Sequence, residues 1–129
     1  MRAWTWLDVG DALGIHERVL MVHGGALGVR DLGVLSSAMA RAQQRSGYDQ
    51  DVDLADLAGA YTYGVVRDHP FIDGNKRTGF VLGILFVELN GGLFHADEAA
   101  AAQAVIDLAA GTLSEAAYAQ FLRDNTSDA

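Results

Sequence analysis

The chain has 129 residues, 50% of them hydrophobic and 20% charged, and no cysteine. That length suits one domain over 1–129 with a single core, and the composition excludes a disordered chain, a disulfide scaffold, a thiolate metal site and a cysteine nucleophile. Seventeen acidic against nine basic residues give a formal net charge of −8, which leaves no basic face for direct nucleic-acid binding.

The opening residues, Met1-Arg2-Ala3-Trp4-Thr5-Trp6, hold one basic group and no long apolar stretch, so no signal peptide is expected. Helical spacing then runs from about Asp11 to His23, with Ile15, Val19 and Val22 as the inward stripe, until Gly24-Gly25 stops it. Beyond the glycine-rich stretch Gly24–Gly33, a second helix is predicted over Leu32–Arg45 on Leu32, Leu35 and Met39. Ser46–Val52 is polar and aperiodic and reads as an exposed loop or short hairpin. Asp53 caps a third helix reaching Asp68, with Leu54, Leu57, Ala58, Tyr61 and Val65 on one face. A fourth spans about Gly74–Asn90. Its middle is apolar all round, which predicts the central, buried helix. Its longest apolar run, Val81–Val87, is too short to cross a bilayer, so a soluble, cytoplasmic protein without a membrane partner is expected. Asp97 opens a fifth helix to about Ala110, and Thr112 with Glu115 has capping-box spacing for a sixth that ends near Asn125. No alternating run is long enough for a proper sheet. The fold class is all-α, about six helices around a buried central one.

The chemistry sits between the third and fourth helices, in His69-Pro70-Phe71-Ile72-Asp73-Gly74-Asn75-Lys76-Arg77-Thr78-Gly79. The only proline and the only lysine of the chain fall here. A helix start offers free N–H groups and a positive dipole end, both suited to an anion. Gly74 lets the backbone come close to a ligand. Lys76 and Arg77 lie at the end of a helix that disfavours cations, so a negative ligand, phosphate first of all, belongs beside them. Asp73 is placed to hold Mg²⁺, and His69 to take a proton from an attacking hydroxyl. Each residue also has a plainer use: Asp73 as a helix cap, His69 as a partner for the end of the third helix, Phe71 as core, Lys76 and Arg77 as solvated charges. The plainer uses are independent of one another, whereas a phosphoryl- or nucleotidyl-transfer site accounts for all of them together.

The same residues resemble the Fic/Doc motif, H-x-F-x-(D/E)-G-N-x-R, met by His69, Phe71, Asp73, Gly74, Asn75 and Arg77. Five fixed positions recur by chance in roughly one of three million windows at ordinary residue frequencies, so the signal is strong. The string Asn75-Lys76-Arg77-Thr78 is closer to the Doc branch, the toxins of toxin–antitoxin pairs, and Gly24–Gly33 and Leu35–Arg41 are also similar to that branch. The resemblance implies a compact all-α domain that binds ATP or another nucleoside triphosphate with Mg²⁺. It implies His69 as the catalytic base, Asp73 as the metal ligand, and Gly74, Asn75, Lys76 and Arg77 as the phosphate site. It implies a target of the translation machinery, an elongation factor, and an antitoxin that neutralises the toxin.

Two departures from the Fic pattern separate the branches. Lys76 stands where Fic enzymes have a second glycine, and Phe80 where they have a second arginine. Both changes weaken the triphosphate orientation for AMP transfer and favour transfer of the terminal phosphate. Gly74 pulls toward the AMP-transferring branch, so a protein adenylyltransferase stays as the alternative, as does a non-catalytic anion-binding partner of an antitoxin. Tyr48 is a candidate for the flap by which Fic-like proteins hold a target segment through strand addition, or an ordinary loop aromatic. His16, His23 and His95 read as structural or solvated, since seven residues between the first two is poor spacing for a metal. No Ser or Thr has Glu four residues on, so the inhibitory S/T-x-x-x-E-G/N pattern of Fic-like proteins is not found.

Overall fold

The computed structural model describes residues 3–129; Met1 and Arg2, the first two residues of the stretch read for a signal peptide, lie outside them. Six helices follow one another: α1 (Val9–His23), α2 (Leu32–Tyr48), α3 (Leu54–Asp68), α4 (Asn75–Leu89), α5 (Glu98–Ala110) and α6 (Glu115–Asp124). Five of them start on a side chain that accepts the N–H of the residue three further on: Asp8, Asp31, Asp53, Asp97 and Ser114. Each cap occupies an amide that would otherwise lack a partner in the first turn. The first helix therefore begins on Asp8, and Asp11 is its reciprocal capping-box partner rather than its start. Ser114, not Thr112, caps the sixth; Thr112 instead donates to the Asp107 carbonyl and helps close α5. The second helix runs three residues past its expected end, so Ser46–Tyr48 is helical and only a turn remains before Asp53.

The central helix is α3 rather than α4. Ten of the fifteen residues of α3 are buried, against seven of α4. The reason is its small residues. Ala55, Ala58, Gly59, Ala60 and Gly64 let α2, α4 and α6 close around it, while the bulkier apolar face of α4 stays partly open at Phe80, Val81, Ile84 and Leu85. At the α3–α4 crossing, a Cβ on Gly79 would meet Val66 at 2.9 Å, and one on Gly83 would run into the Thr62 hydroxyl. Thr62 uses that hydroxyl to donate to the Gly79 carbonyl at 2.7 Å. Two residues of the expected inward stripes face water instead, Val22 (76% exposed) and Leu32 (58%).

Two strands complete the fold. Gly92–Phe94 (β1) pairs antiparallel with Thr126–Asp128 (β2), Leu93 opposite Ser127. At three residues each they are too short to leave an alternating pattern in the sequence. At the other end of the chain, Trp4 and Trp6 pack on Phe86, and the Tyr61 hydroxyl exchanges hydrogen bonds with the Leu7 backbone. Among the described residues no helix is long and apolar enough to cross a membrane.

Candidate active site

The loop between α3 and α4 owes its shape to Pro70 and to the glycine-rich stretch before α2. Pro70 disfavours the α region for its predecessor, and His69 accordingly leaves α3 in the left-handed region, at φ 51° and ψ 57°. Few non-glycine residues hold that conformation unless neighbours secure it. Arg30 secures it here: its Nε donates to the His69 carbonyl at 2.6 Å and its Nη2 to the Asp68 carbonyl at 2.8 Å. A cation thus meets the carbonyls at the negative end of α3. The Pro70 carbonyl accepts from the Arg30 and Asp31 amides, Ile72 donates to the Gly28 carbonyl, and Val29 bridges Phe71.

Beneath the loop lies Phe71, 1% exposed. The His16 ring stacks on it at 3.8 Å and 8°, and its Nε2 donates to the Asp73 carbonyl at 2.8 Å. Asn75 reads the Phe71 backbone from both sides. Its Oδ1 accepts the Phe71 N–H at 3.0 Å, and its Nδ2 donates to the Phe71 carbonyl at 2.9 Å. The same Nδ2 lies 3.4 Å from His69 Nδ1. The Asn75 side chain is therefore turned into the loop, and what it offers an anion is its backbone N–H.

The Asp73 side chain points outward and does not cap α4. Its Oδ2 accepts the Ala26 N–H at 3.1 Å and its Oδ1 the Gly74 N–H at 2.9 Å. These two donations, Ala26 first, hold the carboxyl below its usual range, with smaller help from the charges of His16 and Lys76. The close seat explains Gly25, where a Cβ would come within 2.8 Å of Asp73 Oδ2 and 2.9 Å of Leu20.

Gly74, at φ 77°, is the N-cap of α4 and brings no side chain to it, so this helix start is bare where the other five are capped. Lys76 and Arg77 are its second and third residues. Among the described residues neither pairs with a carboxylate, whereas Arg41, Arg45 and Arg123 all do.

These residues share one cleft of about 890 Å³. His69, Asp73, Gly74, Asn75, Lys76 and Arg77 line it together with Glu98 and with the apolar Phe80, Ile84, Phe94, Val105 and Ile106. The structure thus gathers all six residues singled out in the sequence. Phe80 meets Phe94 edge-on at 6.0 Å, so apolar packing occupies the position where Fic enzymes have their second arginine. The donor set fits Mg²⁺, a hard cation that keeps much of its water and takes one or two carboxylates together with phosphate oxygens. Asp73 is ionised, outward-facing and held still, and each of its oxygens retains a lone pair beyond the one N–H it accepts.

Two residues were not legible as parts of the site. His16 lies under the motif loop, and His23 lies against Arg77, whose Nη1 is 3.0 Å from Nδ1 and 2.9 Å from Nε2 of the ring. Their shared helix face was the available signal. Tyr48 ends α2 and lines a separate, smaller pocket beside Arg41 and Glu115, so the expected flap is not found there.

Comparison with known proteins gives the family. A family profile described as Fic/DOC family matches residues 6–87, more than half of the chain. The chain is similar to "Protein kinase doc" of Escherichia phage P1, with 30% identity over 114 residues, 88% of this chain and 89% of that protein. It is also similar to "Toxin Doc" of Mycolicibacterium smegmatis, with 41% identity over 75 residues, 57% of this chain and 58% of that protein. The matched span includes the whole loop from His69 to Gly79 and the glycine-rich stretch that holds it, and the chain belongs to the Fic/DOC family.

Proposed function

We propose that the chain is a Doc-like toxin. It transfers the terminal phosphate of ATP or another nucleoside triphosphate to a Ser or Thr hydroxyl of a target protein, a translation elongation factor, and is neutralised by a cognate antitoxin. The observation that carries the reading is the bare start of α4, with Lys76 and Arg77 unpaired by carboxylates, opening into the same cleft as His69 and the Asp73 carboxylate. The printed names of the two relatives, a protein kinase and a toxin, point the same way.

In this reading the terminal phosphate sits at the α4 start, on free backbone N–H groups and the positive dipole end. Arg77 holds its oxygens as a fork and Lys76 as a point charge, both acting on charge that spreads over the equatorial oxygens in the transition state. His69 accepts the proton of the incoming hydroxyl. The new O–P bond forms as the bond from the terminal phosphorus to the bridging oxygen breaks, and the diphosphate leaves. Mg²⁺, held at Asp73, would neutralise charge on the phosphate chain. Lys76 and Phe80 favour this orientation over AMP transfer, because the first crowds the path a phosphate chain would take past a glycine and the second gives no charge to a leaving pyrophosphate.

Purified elongation factor incubated with the protein, Mg²⁺ and either γ- or α-labelled ATP tests the reaction. Label arriving only from the γ position is the expected result. Label arriving from the α position would establish AMP transfer, and no label on any target would leave the non-catalytic reading.

A further inference from the structure

We infer that His16 is a positioning residue for the site: its ring holds the Asp73–Gly74 peptide in the orientation that seats the Asp73 carboxylate. The inference rests on the reading above, in which that carboxylate takes Mg²⁺.

The chain itself leaves the 73–74 peptide undecided between two orientations. Gly74 stands at φ 77°, and a glycine takes positive and negative φ about equally well. Turning the peptide over, which exchanges the places of the Asp73 carbonyl and the Gly74 N–H, is therefore not prevented by the residue at 74. The two orientations are not equivalent for the site. The peptide is trans, so its carbonyl and its N–H point opposite ways. The N–H reaches Asp73 Oδ1 at 2.9 Å, while the carbonyl points down to α1. Turned over, the peptide would take the N–H away from Oδ1 and bring a carbonyl oxygen toward the carboxylate. The carboxylate would keep only the Ala26 N–H, 3.1 Å from Oδ2.

His16 makes the choice. A carbonyl only accepts, so the Nε2 that lies 2.8 Å from the Asp73 oxygen carries the proton. A peptide turned over would set N–H against N–H. Among the described residues no backbone N–H donates to this carbonyl, so the ring is the donor that satisfies it. The ring is itself held in place. It is 5% exposed and stacks on Phe71 at 3.8 Å and 8°, which fixes its plane and with it the direction of the in-plane N–H. It also lies directly beneath the turn, where a Cβ on Gly74 would come 3.7 Å from His16 Nε2. Leu20, one turn further along α1, lies under the same spot, 3.4 Å from that Cβ and 2.9 Å from one on Gly25. The floor of the loop is thus one apolar and one donating side chain. An apolar residue at 16 would pack there but would leave the carbonyl unpaired, a cost that turning the peptide over would relieve.

NMR on the full chain without nucleotide tests the inference, through the His16 ring nitrogens and through amide hydrogen exchange. In the wild type Nε2 should be a protonated nitrogen; an Nε2 without a proton overturns the inference before any substitution is made. His16→Phe keeps a flat ring for the Phe71 stack and removes the donor. The Gly74 and Ala26 N–H groups, the two that hold the carboxylate, should then exchange about tenfold faster, the effect of giving up a hydrogen bond. The Val34 N–H, held in the same way by the Asp31 carboxylate but away from His16, should stay within about twofold. His16→Gln, which carries an N–H donor at a similar reach, should restore both rates to within about threefold of the wild type. Wild-type exchange at Gly74 and Ala26 in His16→Phe overturns the inference, and so does equal acceleration at Val34, the mark of a merely structural role. Calorimetric titration of His16→Phe with ATP then reads the metal. ATP alone should bind within about twofold of the wild type, and the gain in affinity on adding Mg²⁺ should fall about tenfold. Fast exchange at Gly74 and Ala26 with the whole Mg²⁺ gain retained would keep His16 as the residue that holds the peptide and would overturn Asp73 as the metal seat.

Discussion

His69 and Asp73 reach the cleft by different means, and substitutions should separate them. His69 is held through its backbone, by Arg30 and by the α3 end, while its imidazole meets only the Asn75 amide, at 3.4 Å through Nδ1, among the hydrogen bonds of the described residues. His69→Ala should leave helix content and ATP affinity near the wild type while transfer to the target falls about 100-fold or more, the usual loss with a general base. Full transfer by His69→Ala in a labelled-phosphate assay would remove the assigned role. Asp73 is held through its side chain, by the Ala26 and Gly74 amides, and depends on the missing Cβ of Gly25. Gly25 has φ 127°, a conformation that side chains resist. Gly25→Ala should cost about 2 kcal/mol in strain and displacement, and should raise the Mg²⁺ concentration needed for half-maximal transfer. Unchanged Mg²⁺ dependence would mean that the Asp73 seat does not matter to the metal.

Helix starts and helix crossings carry most of what the sequence made readable. Asp53 was recognisable as a cap because the capping residue and its partner Asp56 lie three apart in the chain. What the sequence did not show is that Arg123, seventy positions away, also binds Asp53, at 2.6 and 2.9 Å. That pair, with the Asp56 N–H, draws the Asp53 carboxyl down from 3.8 to about 2. A folded-state pKa below the unfolded one contributes stability that is whole above the unfolded value and is lost as pH falls through the folded one. Asp53→Asn keeps a competent cap and removes the pair, which is partly exposed and worth at most about 1 kcal/mol. Urea midpoints should therefore fall slightly at pH 7 and converge with the wild type as pH drops from about 4 toward 2. A gap that persists at pH 2 would assign the loss to the cap. The α3–α4 crossing makes the complementary point. An apolar run marked α4 as central, but burial follows the small residues that let neighbours approach, and these belong to α3. Gly83→Ala, which places a methyl against the Thr62 hydroxyl and 3.1 Å from the Ala58 carbonyl, should lower stability by about 2 kcal/mol. A melting temperature equal to the wild type would show that the crossing can open at no cost.

For the molecule as a whole, the loop motif was readable because its residues are contiguous, and its support was not because the support is distant. His16, His23, Ala26 and Arg30 all reach the motif from thirty-eight or more positions upstream, through contacts with no periodicity to betray them. The protein is acidic, with net charge −8 overall, yet Lys76 and Arg77 stand unpaired by carboxylates at the one bare helix start among the described residues. On the proposed reading, that helix start is where a nucleotide's phosphate is drawn. On the proposed reading it is open for work in the protein as described, since no Ser or Thr of the chain carries the inhibitory spacing to Glu and Lys76 is exposed at the cleft rim. On the same reading inhibition comes from a partner, an antitoxin segment that orders on binding. Induced expression of the chain alone should arrest growth, His69→Ala expressed to the same level should not, and co-expression of the antitoxin should restore growth to wild-type chain. The catalytic variant is the control that decides the matter, because arrest by both forms would come from binding or from expression burden rather than from transfer. Normal growth with folded protein that still labels its target from γ-labelled ATP would keep the kinase and reject the toxin.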